Sequence, residues 1–281
     1  MCLIHWPLGV CRVIRHARRT YSTVFYALFA GDAEVFKGVK RLILELEGRK
    51  ALVVGGSGGM GSAISKMLAT HGVTCGLVGR SVEKLEITAN ACAELGTPAH
   101  NFACDISDLA SIKTCVENVI NQLGGLHYLI NCAGNYNRAK AHECNLETWD
   151  KLIDTNVRST YHFLRHSLPE INKAPWGAVI RINSLEAIYP GSGIQTAQKR
   201  ALDGYAEALF EDVREFGTKV CTIQPGFTNT PHVKPGRINR ELMIQPEDIA
   251  ETVKFVLLMP ETACPTEISI RPQRSPWKTE T

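Results

Sequence analysis

The chain has no Cys-x-x-Cys pair, no internal repeat, no low-complexity linker, no acidic residue before Asp32, and no run approaching the ~20 apolar residues that cross a bilayer. Each absence narrows the reading. Its ten cysteines stand at positions 2, 11, 75, 92, 104, 115, 132, 144, 221 and 264 without histidines clustered beside them. That spacing offers neither a zinc or other metal site nor a disulfide framework. Cys75, Cys104, Cys132 and Cys221 instead fall in or at the end of apolar runs, where a free thiol behaves as a small hydrophobe and implies a reducing compartment. A one-sided charge is missing too. The formal charge is +3, and without Arg12, Arg15, Arg18 and Arg19 the remainder carries −1. A body so close to neutral argues against a nucleic-acid surface. With 281 residues, 44% hydrophobic and 21% charged, the chain is long enough for a full core in one domain and is expected to be soluble once processed.

The first thirty residues mix apolar and arginine positions with no acid, the composition of a mitochondrial transit peptide. Arg19-Thr20-Tyr21-Ser22 resembles the Arg-x-Tyr-Ser pattern of matrix processing. A basic N-terminal arm on a cytoplasmic protein is the alternative. Residues 1–21 are therefore read as a transit peptide and residues 22–48 as an extension. Within it Val35, Phe36, Val39, Leu42, Ile43 and Leu46 recur at helical spacing between a candidate N-cap, Asp32, and a stop, Gly48. Such a helix packs on the domain, mediates assembly or belongs to a longer presequence.

From residue 49 to 281 short apolar strands alternate with amphipathic helices. Strands are predicted at 51–54, 74–78, 99–103, 126–130, 178–182, 219–223 and 267–270, with helices such as 62–71 and 147–168 between them. The alternation predicts a parallel sheet covered on both faces, a single doubly wound α/β domain of Rossmann type. Its first strand runs into Gly55-Gly56-Ser57-Gly58-Gly59-Met60-Gly61 and then a helix, the context that holds a dinucleotide pyrophosphate. Glycines let the backbone turn and approach the phosphates, and the helix start offers free N–H groups and a partial positive charge. Two registers fit: Gly56, Gly58 and Gly61 as G-x-G-x-x-G, or Gly55, Gly59 and Gly61 as G-x-x-x-G-x-G.

Downstream segments choose the second. Asn131-Cys132-Ala133-Gly134 and Pro225-Gly226-Phe227-Thr228-Asn229-Thr230 each follow a strand, Asp105 follows Ala103-Cys104, and Asn156 stands in Asp154-Thr155-Asn156-Val157. In this order and at these separations, from Lys50 to about Pro272, they resemble the short-chain dehydrogenase/reductase family in its classical type. Cys132 replaces the motif's second Asn, and Val54 stands where Thr is usual. The resemblance implies a nicotinamide cofactor against Gly55, Ser57, Gly59, Met60 and Gly61, with Asp105 bonding the adenine amino group. It adds Ile106, Asn131, Ala133 and Gly134 to the same site and places Pro225, Gly226, Thr228 and Thr230 beside the nicotinamide. It also implies a homo-oligomer or a subunit of a larger assembly.

Two further absences bear on chemistry. No acid stands some twenty residues after the glycine turn to pair with the ribose hydroxyls of NAD; Gly79-Arg80-Ser81 is there instead. A 2′-phosphate fits against Arg80, Ser81 and Lys84, so NADP(H) is the expected cofactor. In the family a Ser, a Tyr and a Lys surround a carbonyl, the last two one helical turn apart. Here Ser184 ends a strand and Lys199 is kept, but Gln195-Thr196-Ala197-Gln198-Lys199 puts Gln195 at the tyrosine position. A carboxamide donates a hydrogen bond but gives up no proton near neutral pH, and loss of one positioned general acid typically costs about 10² to 10⁴ in rate.

Tyr189, six residues earlier in a loop shorter than the family's, reads as a packing or pocket-wall residue, with a swing toward Ser184 as a substitute phenol the alternative. His232, Lys234, Arg237 and Arg240 read as a solvated loop, with an anionic substrate as the alternative. Two functions follow. One is an NADPH-dependent reductase of a small ketone or 3-oxoacyl substrate, working through Ser184, Lys199 and Asn156 without the usual tyrosine. The other is a pseudoenzyme, a nucleotide-binding or structural subunit of a mitochondrial assembly.

Overall fold

A computed structural model describes residues 46–277 apart from 138, 190, 192, 232, 234, 235 and 237. The transit peptide, and the extension helix up to residue 45, lie outside the described residues, as do His232, Lys234 and Arg237. Seven strands form one parallel sheet: β1 (Lys50–Val54), β2 (Thr74–Gly79), β3 (Ala99–Ala103), β4 (Tyr128–Asn131), β5 (Ala178–Ile182), β6 (Lys219–Pro225) and β7 (Glu267–Ile270). Their order is β3-β2-β1-β4-β5-β6-β7. This is the doubly wound α/β architecture that the alternating pattern predicts.

Successive side chains of a strand point to opposite faces, so one central strand feeds two cores. Ala51, Val53, Cys75, Leu77, Ile180 and Ile223 pack beneath α1 (Gly59–Thr70), α2 (Val82–Glu94) and α7 (Pro246–Leu258). Leu52, Val54, Val78, Leu129, Val179 and Val220 pack beneath α3 (Leu109–Leu123), α5 (Ser159–Ile171) and α6 (Gly193–Val213). Each large apolar side chain so buried contributes about 1.5–3 kcal/mol. Every residue of β5 and β6 is buried, whereas the edge strand β7 alternates half-buried with exposed.

Local chemistry sets the helix starts. Ser81 caps α2 by accepting from the Lys84 N–H, Asp108 caps α3 by accepting from Ala110 N–H, and Asn145 caps α4 (Leu146–Ile153) by accepting from Thr148 N–H. The single helix expected over 147–168 is instead α4, a π-helical turn at Asp154–Arg158, and α5. The wider turn inserts an extra residue, which rotates the face and buries Thr155 and Asn156. Periodicity alone does not carry that insertion.

Strand order reverses at β1, which lies between β2 and β4. In an open parallel sheet a crevice forms outside the carboxyl ends of the strands at such a point. Here those ends are Val54-Gly55 and Asn131-Cys132.

Candidate functional site

The glycine turn closes over this crevice, and its geometry distinguishes the two registers. Gly55 has φ +82°, a left-handed conformation, and a Cβ on it would stand 3.1 Å from Ala133 N. At Gly61 a Cβ would stand 2.1 Å from Gly55 O, which no side chain can occupy. Gly59 opens α1 beside Thr230 and Pro231, where a Cβ would meet Thr230 Cγ2 at 3.4 Å. Gly56 has no positive φ and meets the Leu77 side chain. Gly58 is the N-cap of α1 and offers no side chain to its leading N–H groups, and no acid lies in the first turn. A helix start of this kind leaves its leading N–H groups and partial positive charge open to an anion.

A cleft of about 200 Å³ runs from the turn. Gly55, Ser57 and Gly58 line one wall, Gly79 and Arg80 the end of β2, Asp105 and Ile106 the segment after β3, and Ala133 and Gly134 the segment after β4. Lys151 and Thr155, from α4 and the π-helical turn, complete it. Sequence reasoning missed both: the π-helical turn brings Thr155 here, and the helix before it brings Lys151 to a cleft built by distant strands. Asp105 Oδ1 accepts from Ser107 N (3.0 Å) and Ser107 Oγ (2.8 Å), which holds its carboxyl below the ordinary value, with Arg80 and Lys151 adding to the effect.

Other expected cofactor residues brace the cleft. Asn131 Oδ1 accepts from Ala133 N (3.1 Å) while its Nδ2 donates to Thr160 Oγ1 (3.1 Å), fixing the turn after β4. Met60 packs on the core, and Thr228 Oγ1 donates to Gly226 O (3.1 Å) in the segment after Pro225. Ser81 both caps α2 and donates to Glu83 Oε2 (2.9 Å). Glu83 is held ionised by its own backbone N–H and by Ser81.

At the other end, Ser184 follows β5 and accepts from Glu186 N (3.2 Å), starting a 3₁₀ turn at Leu185–Ala187. Lys199 is half-buried on α6. Burial and the neighbouring Arg181 guanidinium lower its ammonium to about 7, against the pull of Glu186 and Asp203. Asn156 Oδ1 accepts from Asn135 N (2.7 Å), and its Nδ2 donates to Asn135 O (2.9 Å) and to Gln198 Oε1. Gln195 has no exposed surface, and its Nε2 faces Asn135 O at 3.5 Å. Asn135, Asn156, Gln195 and Gln198 thus form one packed group of amides.

Tyr189 is exposed, with the Arg271 guanidinium 4.4 Å from its ring centroid. A different phenol reaches the serine turn: Tyr136 Oη donates to Glu186 Oε1 (2.9 Å). Fifty positions separate these two residues, so no local pattern announces the contact. Arg240 Nη2 donates to Val233 O.

Residues 49–241 match the short chain dehydrogenase family. An uncharacterized oxidoreductase of Staphylococcus epidermidis is 30% identical over 224 residues, covering 79% of this chain and 96% of its own length. A short-chain dehydrogenase of Burkholderia cenocepacia, crystallised in complex with NADP, superposes with a TM-score of 0.75 at 26% identity over 81% of this chain and 98% of its own. A metagenomic short-chain oxidoreductase in complex with NADP does so at 0.72 and 28%, over 82% of this chain and 100% of its own. Sheet order, glycine turn and these similarities agree, and the chain belongs to the short-chain dehydrogenase family.

Proposed function

We propose that the chain binds NADP(H) in this cleft and is an oxidoreductase for a small carbonyl substrate, with Gln195 standing in place of the family's proton-donating tyrosine. The observation that carries this is the seat at Gly61, where even a methyl group has no room, beside a helix start free of side-chain caps and a cleft wall that ends in Arg80. Two solved relatives hold NADP on the same fold.

In this reading the turn from Gly55 to Gly61 holds the pyrophosphate through main-chain N–H groups. Arg80 and Ser81 receive the 2′-phosphate, Asp105 and Ile106 the adenine, and the segment from Pro225 to Thr230 the nicotinamide end. NADPH, when bound, supplies the electrons of a carbonyl reduction. Ser184 Oγ orients the carbonyl oxygen. Gln195 Nε2 is able to donate a hydrogen bond but not a proton. Lys199, lowered to about 7 by burial and by Arg181, is the group able to release a proton near neutrality.

One observation favours a second reading, a pseudoenzyme that keeps the cofactor for its fold. The amides of Asn135, Asn156, Gln195 and Gln198 face one another, and Gln195 is sealed from solvent. NADPH binding and NADPH oxidation across a carbonyl panel, measured in parallel on the wild type and Gln195→Tyr, separate the two. Turnover by the wild type that Ser184→Ala abolishes establishes the enzyme. Saturable binding without turnover, with activity gained by about 10² or more in Gln195→Tyr, establishes the pseudoenzyme. Absence of NADPH binding overturns both.

A further inference from the structure

The segment that leaves β6 is gripped from two sides. On one, Ile244 N donates to Phe227 O (3.0 Å) and Asn229 N to Ile244 O (2.8 Å), which ties its main chain to the approach of α7. On the other stands the chain beyond β7. Gly226 N donates to Ile270 O (2.9 Å), and a Cβ on Gly226 would stand 3.2 Å from Leu185 Cδ1 and 3.3 Å from Pro272 Cδ. Four residues later the same chain meets the segment again. Asn239 N donates to Pro276 O (2.7 Å), and Ile238 and Trp277 form an antiparallel bridge. The Trp277 indole meets the Phe227 ring edge-on, with centroids 5.3 Å apart and planes at 84°. Pro276 is buried, although Gln273, Arg274, Ser275 and Trp277 around it are exposed. Trp277 keeps 50% of its surface in solvent and belongs to neither core cluster, so its ring packs on Phe227 rather than on the core. Chain ends are ordered where they are tied down, and this one is tied to the segment after β6.

We propose that Trp277 is a positioning residue for the cofactor: through Phe227 it holds Gly226–Asn229 in the shape that receives the nicotinamide. The proposal rests on the cofactor reading above, which puts Pro225 to Thr230 at the nicotinamide end; the strap over Phe227 does not. An edge-to-face pair and a main-chain hydrogen bond order the segment before the ligand arrives, so binding energy is not spent on ordering it. Loss of the indole is felt where the segment touches the ligand. The adenine end of the cleft is built on other strands, with Arg80 after β2 and Asp105 after β3.

Full-length wild type, Trp277→Ala and Trp277→Phe are compared. In cofactor-free protein, amide hydrogen exchange at Asn229, Asn239 and Ile244 is expected to quicken about tenfold in Trp277→Ala, with exchange at Val53 and the urea midpoint unchanged. The NADPH Kd should rise about tenfold in that variant, whereas adenosine 2′,5′-bisphosphate, which carries the adenine end alone, should bind as it does to wild type. Trp277→Phe keeps an aromatic edge against Phe227 and should return the NADPH Kd to within about twofold of wild type. Unchanged exchange in Trp277→Ala overturns the strap, and a fallen urea midpoint overturns its local role. Equal losses for both ligands, an unchanged NADPH Kd, or a Trp277→Phe that binds no better than Trp277→Ala overturns the positioning. Failure of wild type to bind either ligand overturns the cofactor reading instead, and the strap is then judged by the exchange measurement, which is made without ligand.

Discussion

At the proposed phosphate end of the cleft the geometry is made of main chain: Gly55 at φ +82°, Gly61 against Gly55 O, and a helix start with no side-chain cap. At the proposed reaction end it is made of side chains, with Lys199 within reach of the Arg181 charge and the amides of Asn156, Gln195 and Gln198 bonded or turned toward one another and Asn135. Main-chain geometry tolerates changes of neighbouring side chains as long as the glycines stay. A side-chain array loses its chemistry with one substitution and keeps its packing. On the proposed reading the two ends can therefore part company, so that the fold and its cleft persist while the family's proton carrier is exchanged for an amide.

The largest test of this contrast is Gly61→Ala. A methyl group 2.1 Å from Gly55 O forces the turn apart, and a loss of about 3 kcal/mol in denaturant unfolding is expected, together with loss of NADPH binding. Unchanged stability and affinity in that variant would break the main-chain account of the phosphate end. A smaller effect is expected from Arg80→Ala, which leaves the turn intact. Removing a charge-assisted contact to the 2′-phosphate weakens NADPH binding by about 1.5–3 kcal/mol, roughly tenfold or more, and leaves NADH binding as it was. Equal losses for both nucleotides would reduce Arg80 to a general cleft charge.

The smallest effect is a slope. The folded chain holds Lys199 at about 7, below its ordinary 10.5, so between these values the unfolded chain binds more proton and this group's contribution to stability rises with pH. Below pH 7 the charged ammonium is present in both states and its burial opposes folding in full. Urea unfolding of the cofactor-free wild type and Lys199→Met across this window should show the wild type gaining on the variant as pH rises from 7 to 10.5. A constant difference would show that the reaction end does not hold its lysine out of water.

How far the site was legible depends on the range of the interactions that build it. The strands at Ala99–Ala103, Ala178–Ile182 and Glu267–Ile270 begin and end where apolar alternation places them, because strand pattern is local. The helix predicted from Ser62 starts at Gly59, since glycines that propensity rejects are retained at that helix start by the turn they form with Gly55. Strand β4 starts at Tyr128 rather than Leu126, because its pairing with β1 and β5 begins there. The π-helical turn that brings Thr155 to the cleft and the Tyr136–Glu186 bond had no sequence signal.

The sequence by itself determined the doubly wound sheet, the glycine turn with its register, the basic Gly79-Arg80-Ser81 in place of an acid at the end of β2, and an amide four residues before Lys199. These are matters of residue type and spacing, set by backbone sterics and side-chain period. Only the tertiary structure decided which groups meet: that Gln195 is sealed against Asn135, that Lys199 feels the charge of Arg181, and that Asn156 bonds both Asn135 and Gln198. Hydrogen-bond partners and local dielectric come from elements distant in sequence, and they set what each side chain is able to do.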